Sequence, residues 1–113
     1  MSHSEIEFLK HIRDEAGFIL EHTQGISKDD FLNDEVFKRA STRSLEIIGE
    51  AVKSLSTQFR EQYPSVEWKK IAGTRDVLIH DYMSVDYEIV WDIIQTKIPD
   101  LYNNIIAIIQ QHH

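Results

Sequence analysis

Apolar residues recur along this chain at three- and four-residue steps, the spacing of one helix face, and strand-like alternation occurs nowhere. Leu9, Ile12, Ala16, Ile19 and Leu20 follow that period. Ser4 supplies a cap, and Glu5 and Glu7 favour the positive end of a helix dipole, so a first helix is predicted from about Ser4 to His22. Gly25 ends that region. Ser27-Lys28-Asp29-Asp30 reads as a cap followed by acidic residues and opens a short helical turn through Phe31 and Leu32. A long second helix is predicted from Asn33 or Asp34 to about Gln62, before Pro64. Its inward face is Phe37, Ala40, Ser44, Ile47, Ile48, Ala51, Leu55 and Phe59. At the standard rise it would be on the order of 40 Å long. Gly49 lies inside it at a cost of about 1 kcal/mol against alanine; it either admits a closely packed helix or is simply tolerated.

Pro64-Ser65 breaks the chain and predicts a third helix with Ser65 as cap and Glu67 in its first turn, ending around His80 to Tyr82. Ser84 caps a predicted fourth helix from about Val85 to Lys97, with Ile89, Val90, Ile93 and Ile94 inward. Pro99 either kinks that helix or stands in the first turn of a fifth. Leu101, Tyr102, Ile105, Ile106, Ile108 and Ile109 complete the expected core. The predicted fold is all-α, an antiparallel four- to five-helix bundle spanning residues 1–113 as a single helical domain.

At 113 residues with 42% hydrophobic content, the chain can bury one core, which argues against disorder. It contains no cysteine, which removes disulfides, a thiolate nucleophile and Cys-ligated zinc. No run reaches the roughly 18 apolar residues that span a bilayer. The opening Met1-Ser2-His3-Ser4-Glu5 lacks the build of a signal peptide. A cytoplasmic protein without membrane association is expected. None of His3, His11 and His22 has metal-site spacing, and the terminal His112-His113 pair is unremarkable beyond adventitious metal binding, so neither metal nor other cofactor is expected. The net charge of −7 works against nonspecific nucleic-acid binding. RNA would need a local basic patch, for which Arg39, Arg43, Lys69, Lys70 and Arg75 are candidates.

The chemistry concentrates in Gly73-Thr74-Arg75-Asp76-Val77-Leu78-Ile79-His80-Asp81-Tyr82. On a helix, Trp68, Ile71, Ala72, Leu78 and Ile79 form one stripe with Arg75 at its middle and Tyr82 on the same line. A guanidinium stays protonated and is almost never buried unpaired. Either a carboxylate meets Arg75 inside the fold, or the stripe opens there into a cleft or interface. Glu46 and Glu50, four apart on one helix face, could each meet Arg75 or a cationic partner, or could be solvated.

The order Arg-x4-His-x-Tyr at a helix end resembles the signature of HEPN-domain ribonucleases, and more narrowly that of HepT-like toxins. Three further segments match the HepT pattern in order. They are Arg43-Ser44-Leu45-Glu46-Ile47-Ile48-Gly49-Glu50-Ala51, Trp68-Lys69-Lys70-Ile71-Ala72-Gly73, and Val90-Trp91 with Ile98-Pro99-Asp100-Leu101. Asp76 stands where such proteins often carry asparagine. The resemblance implies the toxin of a type VII toxin–antitoxin pair, a metal-independent endoribonuclease of tRNA or mRNA. Its symmetric dimer would bring two motifs into one cleft, with Arg75 and His80 catalytic. It also implies a minimal nucleotidyltransferase antitoxin that transfers AMP onto Tyr82.

These residue types suit that chemistry. Cleavage without metal needs a base, an acid and positive charge on the phosphorane; histidine titrates near neutrality, and arginine can grip two phosphate oxygens. His80 lies about 140° around an ideal helix from Arg75. The helix must therefore end near His80, or a second subunit must contribute. Asp76, four residues before His80, could fix the imidazole tautomer, or could pair elsewhere on the surface. Tyr82 could also stack on RNA. Two further readings fit the sequence: a non-catalytic helical module that binds a nucleotidyltransferase, and a structural dimerisation bundle.

Overall fold

The computed structural model describes residues 3–78 and 85–112. It contains α1 (His3–Thr23), α2 (Lys28–Asn33), α3 (Glu35–Ser54), α4 (Thr57–Gln62), α5 (Trp68–Leu78), α6 (Tyr87–Thr96) and α7 (Ile98–Gln111). No strand occurs among the described residues. The five longer helices form the predicted all-α bundle, and α2 and α4 are six-residue connectors. α3 is the spine: it packs most extensively on α1 and α5 and also meets α2 and α6, while α7 packs on α1 and α6. No described helix is long and apolar enough to cross a membrane.

The long second helix is in fact two. Leu55 adopts an extended conformation (φ −69°, ψ 141°), and the Ser56 hydroxyl accepts from the Phe59 N–H at 3.0 Å to cap α4. The Ser56 N–H is itself taken by Glu5 Oε1 of α1 at 3.2 Å. Serine offers the backbone an alternative to continuing the helix, and α1 supplies a partner for the freed donor. α3 is therefore about 30 Å long rather than 40 Å. Leu55 and Phe59 remain buried, as the periodicity requires.

Other boundaries shift for similar reasons. α5 begins at Trp68 rather than behind a Ser65 cap. The Trp68 indole N–H donates to Arg60 O at 3.1 Å and Tyr63 O at 3.0 Å, which holds the intervening residues in a turn, and Val66 is drawn into the core. α6 starts at Tyr87 because Asp86 Oδ1 accepts from the Glu88 and Ile89 N–H groups. Pro99 stands in the first turn of α7, which settles its two readings. Ile79, His80, Tyr82 and the expected Ser84 cap, together with the predicted end of the third helix, lie outside the described residues.

Leu9, Ile12, Ala16 and Ile19 of α1 are fully buried against α3 and α7 residues such as Ile48, Leu101 and Ile105. α3 buries a wider arc than a single stripe predicts, adding Leu45 and Val52, because both α1 and α5 pack on it. Ser41 and Thr42 are buried within that arc, their hydroxyls donating to the carbonyls of Phe37 and Lys38, each at 2.8 Å. By contrast Leu20, Ala40, Ile47 and Ile93 are only half-buried, and Ile89, expected inward, is 39% exposed.

Candidate functional site at the contact of α3 and α5

The two helices approach closely because position 49 has no side chain. A Cβ on Gly49 would stand 3.2 Å from Arg75 Cβ, 3.5 Å from Ala72 O and 3.8 Å from Ile71 O. Trp68, Ile71, Ala72 and Leu78 bury the apolar face of α5. Arg75 sits in the middle of that stripe in sequence, yet its side chain keeps 35% of its surface. Its stem lies on the backbone of α3 at Gly49 while its tip reaches water, as long cationic side chains commonly do.

The expected carboxylate is Glu50. Its Oε1 lies 3.3 Å from Arg75 Nη2, and its side chain is 51% exposed. The pair therefore forms at the rim of the helix contact and not inside the fold, which spares both charges desolvation. Glu46, the other candidate, pairs instead with Arg43 at 3.3 Å. Asp76 lies 3.8 Å from Lys53 of α3. His80, the partner expected for Asp76, lies outside the described residues, as does Tyr82.

The basic candidates are distributed along these two helices. Arg43 stands seven residues before Glu50, about 10 Å along α3. Arg39 pairs with Glu35 at 3.6 Å. Lys69 and Lys70 are exposed in the first turn of α5. Lys70 Nζ lies 2.8 Å from Glu67 Oε2, and Lys97 Nζ lies 3.1 Å from Glu67 Oε1. Hydrogen bonds from Lys70 and then Lys97 hold the Glu67 carboxyl below its ordinary value of 4.5, and the same contact raises Lys70. The structure thus brings Arg75, Glu50, Asp76 and Lys53 together and leaves Arg43, Lys69 and Lys70 further along the helices.

Two features of the site are not among the residues expected from sequence. Lys53 is the first, although its place three residues after Glu50 puts it on the same helix face. The second lies apart from Arg75, at the start of α5: a cleft of about 580 Å³ lined by Arg60, Glu61, Glu67, Trp68, Lys69 and Lys70 among others, which sets basic and acidic groups beside an indole. Its signal is the run Trp68-Lys69-Lys70 behind Pro64. Among the described residues no group of three or more His, Cys, Asp or Glu side chains could hold a metal ion.

The chain is similar to known proteins over most of its length. The sequence profile of the family described as Ribonuclease HepT-like matches residues 12–108. A protein of Caldanaerobacter subterraneus subsp. tengcongensis, named for an RNase, is 50% identical over 104 residues, covering 92% of this chain and 93% of the relative. One from Methanocaldococcus jannaschii, also named for an RNase, is 45% identical over 93 residues, covering 82% and 77%. One from Thermococcus cleftensis, named for ribonuclease HepT, is 38% identical over 101 residues, covering 89% and 92%. No solved structure matches the chain. The extent of the profile match and these identities make the chain a member of the HepT-like ribonuclease family.

Proposed function

We propose that this protein is an endoribonuclease that cleaves cellular RNA without a metal, and that it is the toxin of a toxin–antitoxin pair. The observation that carries the reading is Arg75: packed at its root by Gly49, it keeps a partly exposed side chain five positions before His80 in the sequence. In this reaction the RNA 2′-hydroxyl attacks the adjacent phosphorus and gives up its proton to a base. The 5′-oxygen leaves with a proton from an acid, producing a cyclic phosphate and a free 5′-hydroxyl. His80 and its counterpart in a second copy serve as base and acid, and Arg75 neutralises the equatorial oxygens of the phosphorane. Asp76 supports the imidazole, and Arg43, Lys69 and Lys70 bind flanking phosphates.

The two copies meet in a symmetric dimer. Val77, 53% exposed and two residues from Arg75, and half-buried Ile47 near Glu50 are apolar groups that such an interface would cover. A cognate nucleotidyltransferase silences the toxin when the Tyr82 phenol attacks the α-phosphorus of ATP, pyrophosphate leaves, and the added AMP repels RNA phosphate. The net charge of −7 and the existing Glu50 partner of Arg75 favour a second reading, a helical module that binds the nucleotidyltransferase without cleaving RNA.

The deciding experiment incubates total cellular RNA with purified wild type and with His80→Ala in EDTA, after light scattering has established that both are dimers. Discrete fragments with cyclic-phosphate ends from wild type alone support the ribonuclease. Intact RNA with an unmodified wild-type dimer overturns it in favour of the binding module.

A further inference from the structure

We infer that Glu50 is a positioning residue for Arg75, holding the guanidinium in the direction from which it receives a phosphate; this rests on the ribonuclease reading above. Three observations lead there. Gly49 lets the α3 backbone fix the root of Arg75, with only 3.2 Å from an ideal Cβ to Arg75 Cβ. The next residue, Glu50, places a carboxylate oxygen 3.3 Å from Nη2 at the other end of the same side chain. Between those two points the arginine keeps about a third of its surface, with 35% of the side chain exposed.

An arginine side chain free at its tip populates many rotamers, and ordering it on substrate binding would cost entropy. Glu50 biases that distribution beforehand toward rotamers that keep Nη2 beside its carboxylate. It holds one Nη and leaves the remaining N–H donors of the fork for phosphate. Because the pair is solvent-exposed, it is weak, and a charge-assisted contact to phosphate can pull the guanidinium forward without a large penalty. Lys53 lies near Asp76, the next residue of α5 (3.8 Å), so the α3 face bearing Glu50 and Lys53 offers ionic partners to two consecutive residues of the motif.

The inference opposes what simple charge would do. Removing a carboxylate beside an RNA site should strengthen RNA binding and leave turnover intact or improved. Removing a positioning carboxylate should lower turnover even though binding tightens. The test compares kcat and KM of Glu50→Ala, Glu50→Gln and Glu46→Gln on a short RNA in EDTA. Glu46→Gln serves as the charge control, because Glu46 pairs with Arg43. The Nε–H signal of Arg75 is followed in parallel by NMR, assigned by its loss in Arg75→Lys.

The expected result is a kcat lower by about tenfold in Glu50→Ala with KM unchanged or reduced. Glu50→Gln, which keeps an acceptor oxygen at the same reach, restores most of it, and Glu46→Gln keeps wild-type kcat. The Arg75 signal broadens in Glu50→Ala alone. Unchanged or raised kcat in Glu50→Ala overturns the positioning role while leaving the ribonuclease reading in place. Wild-type protein that leaves RNA intact overturns both, and the NMR signal then reports only whether the pair orders Arg75 in a non-catalytic surface.

Discussion

Gly49 of α3 and Arg75 of α5 pack against each other without an intervening side chain: a Cβ on the first would press on the stem of the second at 3.2 Å. Gly73, two residues from Arg75 on α5, has nothing within 4 Å of an ideal Cβ. The same substitution should therefore have opposite effects at the two sites. Gly73→Ala gains helix propensity alone and should stabilise by about 0.5–1 kcal/mol. At Gly49 that gain meets overpacking of about 1–3 kcal/mol, because Arg75 Cβ is fixed to the α5 backbone and cannot swing aside. Gly49→Ala should destabilise by about 1 kcal/mol and reduce RNA cleavage. Urea denaturation of both variants checks the signs.

Asp86 stops the chain from starting α6 any earlier, since its carboxylate takes two N–H groups of the first turn. Asp86→Ala should cost about 1 kcal/mol in the same denaturation measurement, as should Ser56→Ala at the start of α4. Asp86→Ser should recover most of the loss.

Glu67 joins α5 to the junction of α6 and α7 through Lys70 and Lys97. Its pKa is lowered in the folded chain, so its contribution is present above the ordinary value of 4.5 and is lost as pH falls through the folded value. The difference in melting temperature between wild type and Glu67→Gln should be visible near neutrality and close progressively below about pH 4.5. Melting curves from pH 7 down to pH 3 read this directly. A gap that persisted at the acid end would mean that the substitution acts through packing.

Arg43, Lys69 and Lys70, if they meet RNA phosphates, do so without reading sequence. Replacing each with alanine should weaken binding of a single-stranded RNA uniformly across sequences and lower the salt slope by about 0.7 for each phosphate no longer neutralised. Titrations at several salt concentrations, on a His80→Ala background, measure the slope.

Val77 is the apolar residue whose exposure stands beside Arg75. Val77→Glu should split the proposed dimer, observed as a halved mass by light scattering with the helical circular dichroism unchanged. Cleavage should fall with it, as the proposed sharing of histidines between two copies requires.

The bundle is legible in sequence because its cause is local and repetitive. The three- and four-residue spacing of Leu9, Ile12, Ala16 and Ile19, or of Leu101, Ile105 and Ile108, admits one structure, and all of these residues are buried. So too is the oddity of Arg75, since a charge in an apolar stripe is visible without coordinates. Other features depend on partners distant in the chain. The break at Leu55-Ser56 needs Glu5 from α1 as well as the serine hydroxyl, and the start of α5 needs the carbonyls of Arg60 and Tyr63 to hold Trp68.

The site divides along the same line. The helical class and the bundle can be read from the chain alone, because periodicity is a property of a single segment. That Glu50 rather than Glu46 meets Arg75, that Lys53 lies by Asp76, and that Gly49 packs on the stem of Arg75 follow from the packing of the two helices. Those choices depend on the rotation and separation of α3 relative to α5. A shift of one helical position turns a side chain by about 100°, so no pattern within either helix fixes which of two carboxylates faces the arginine.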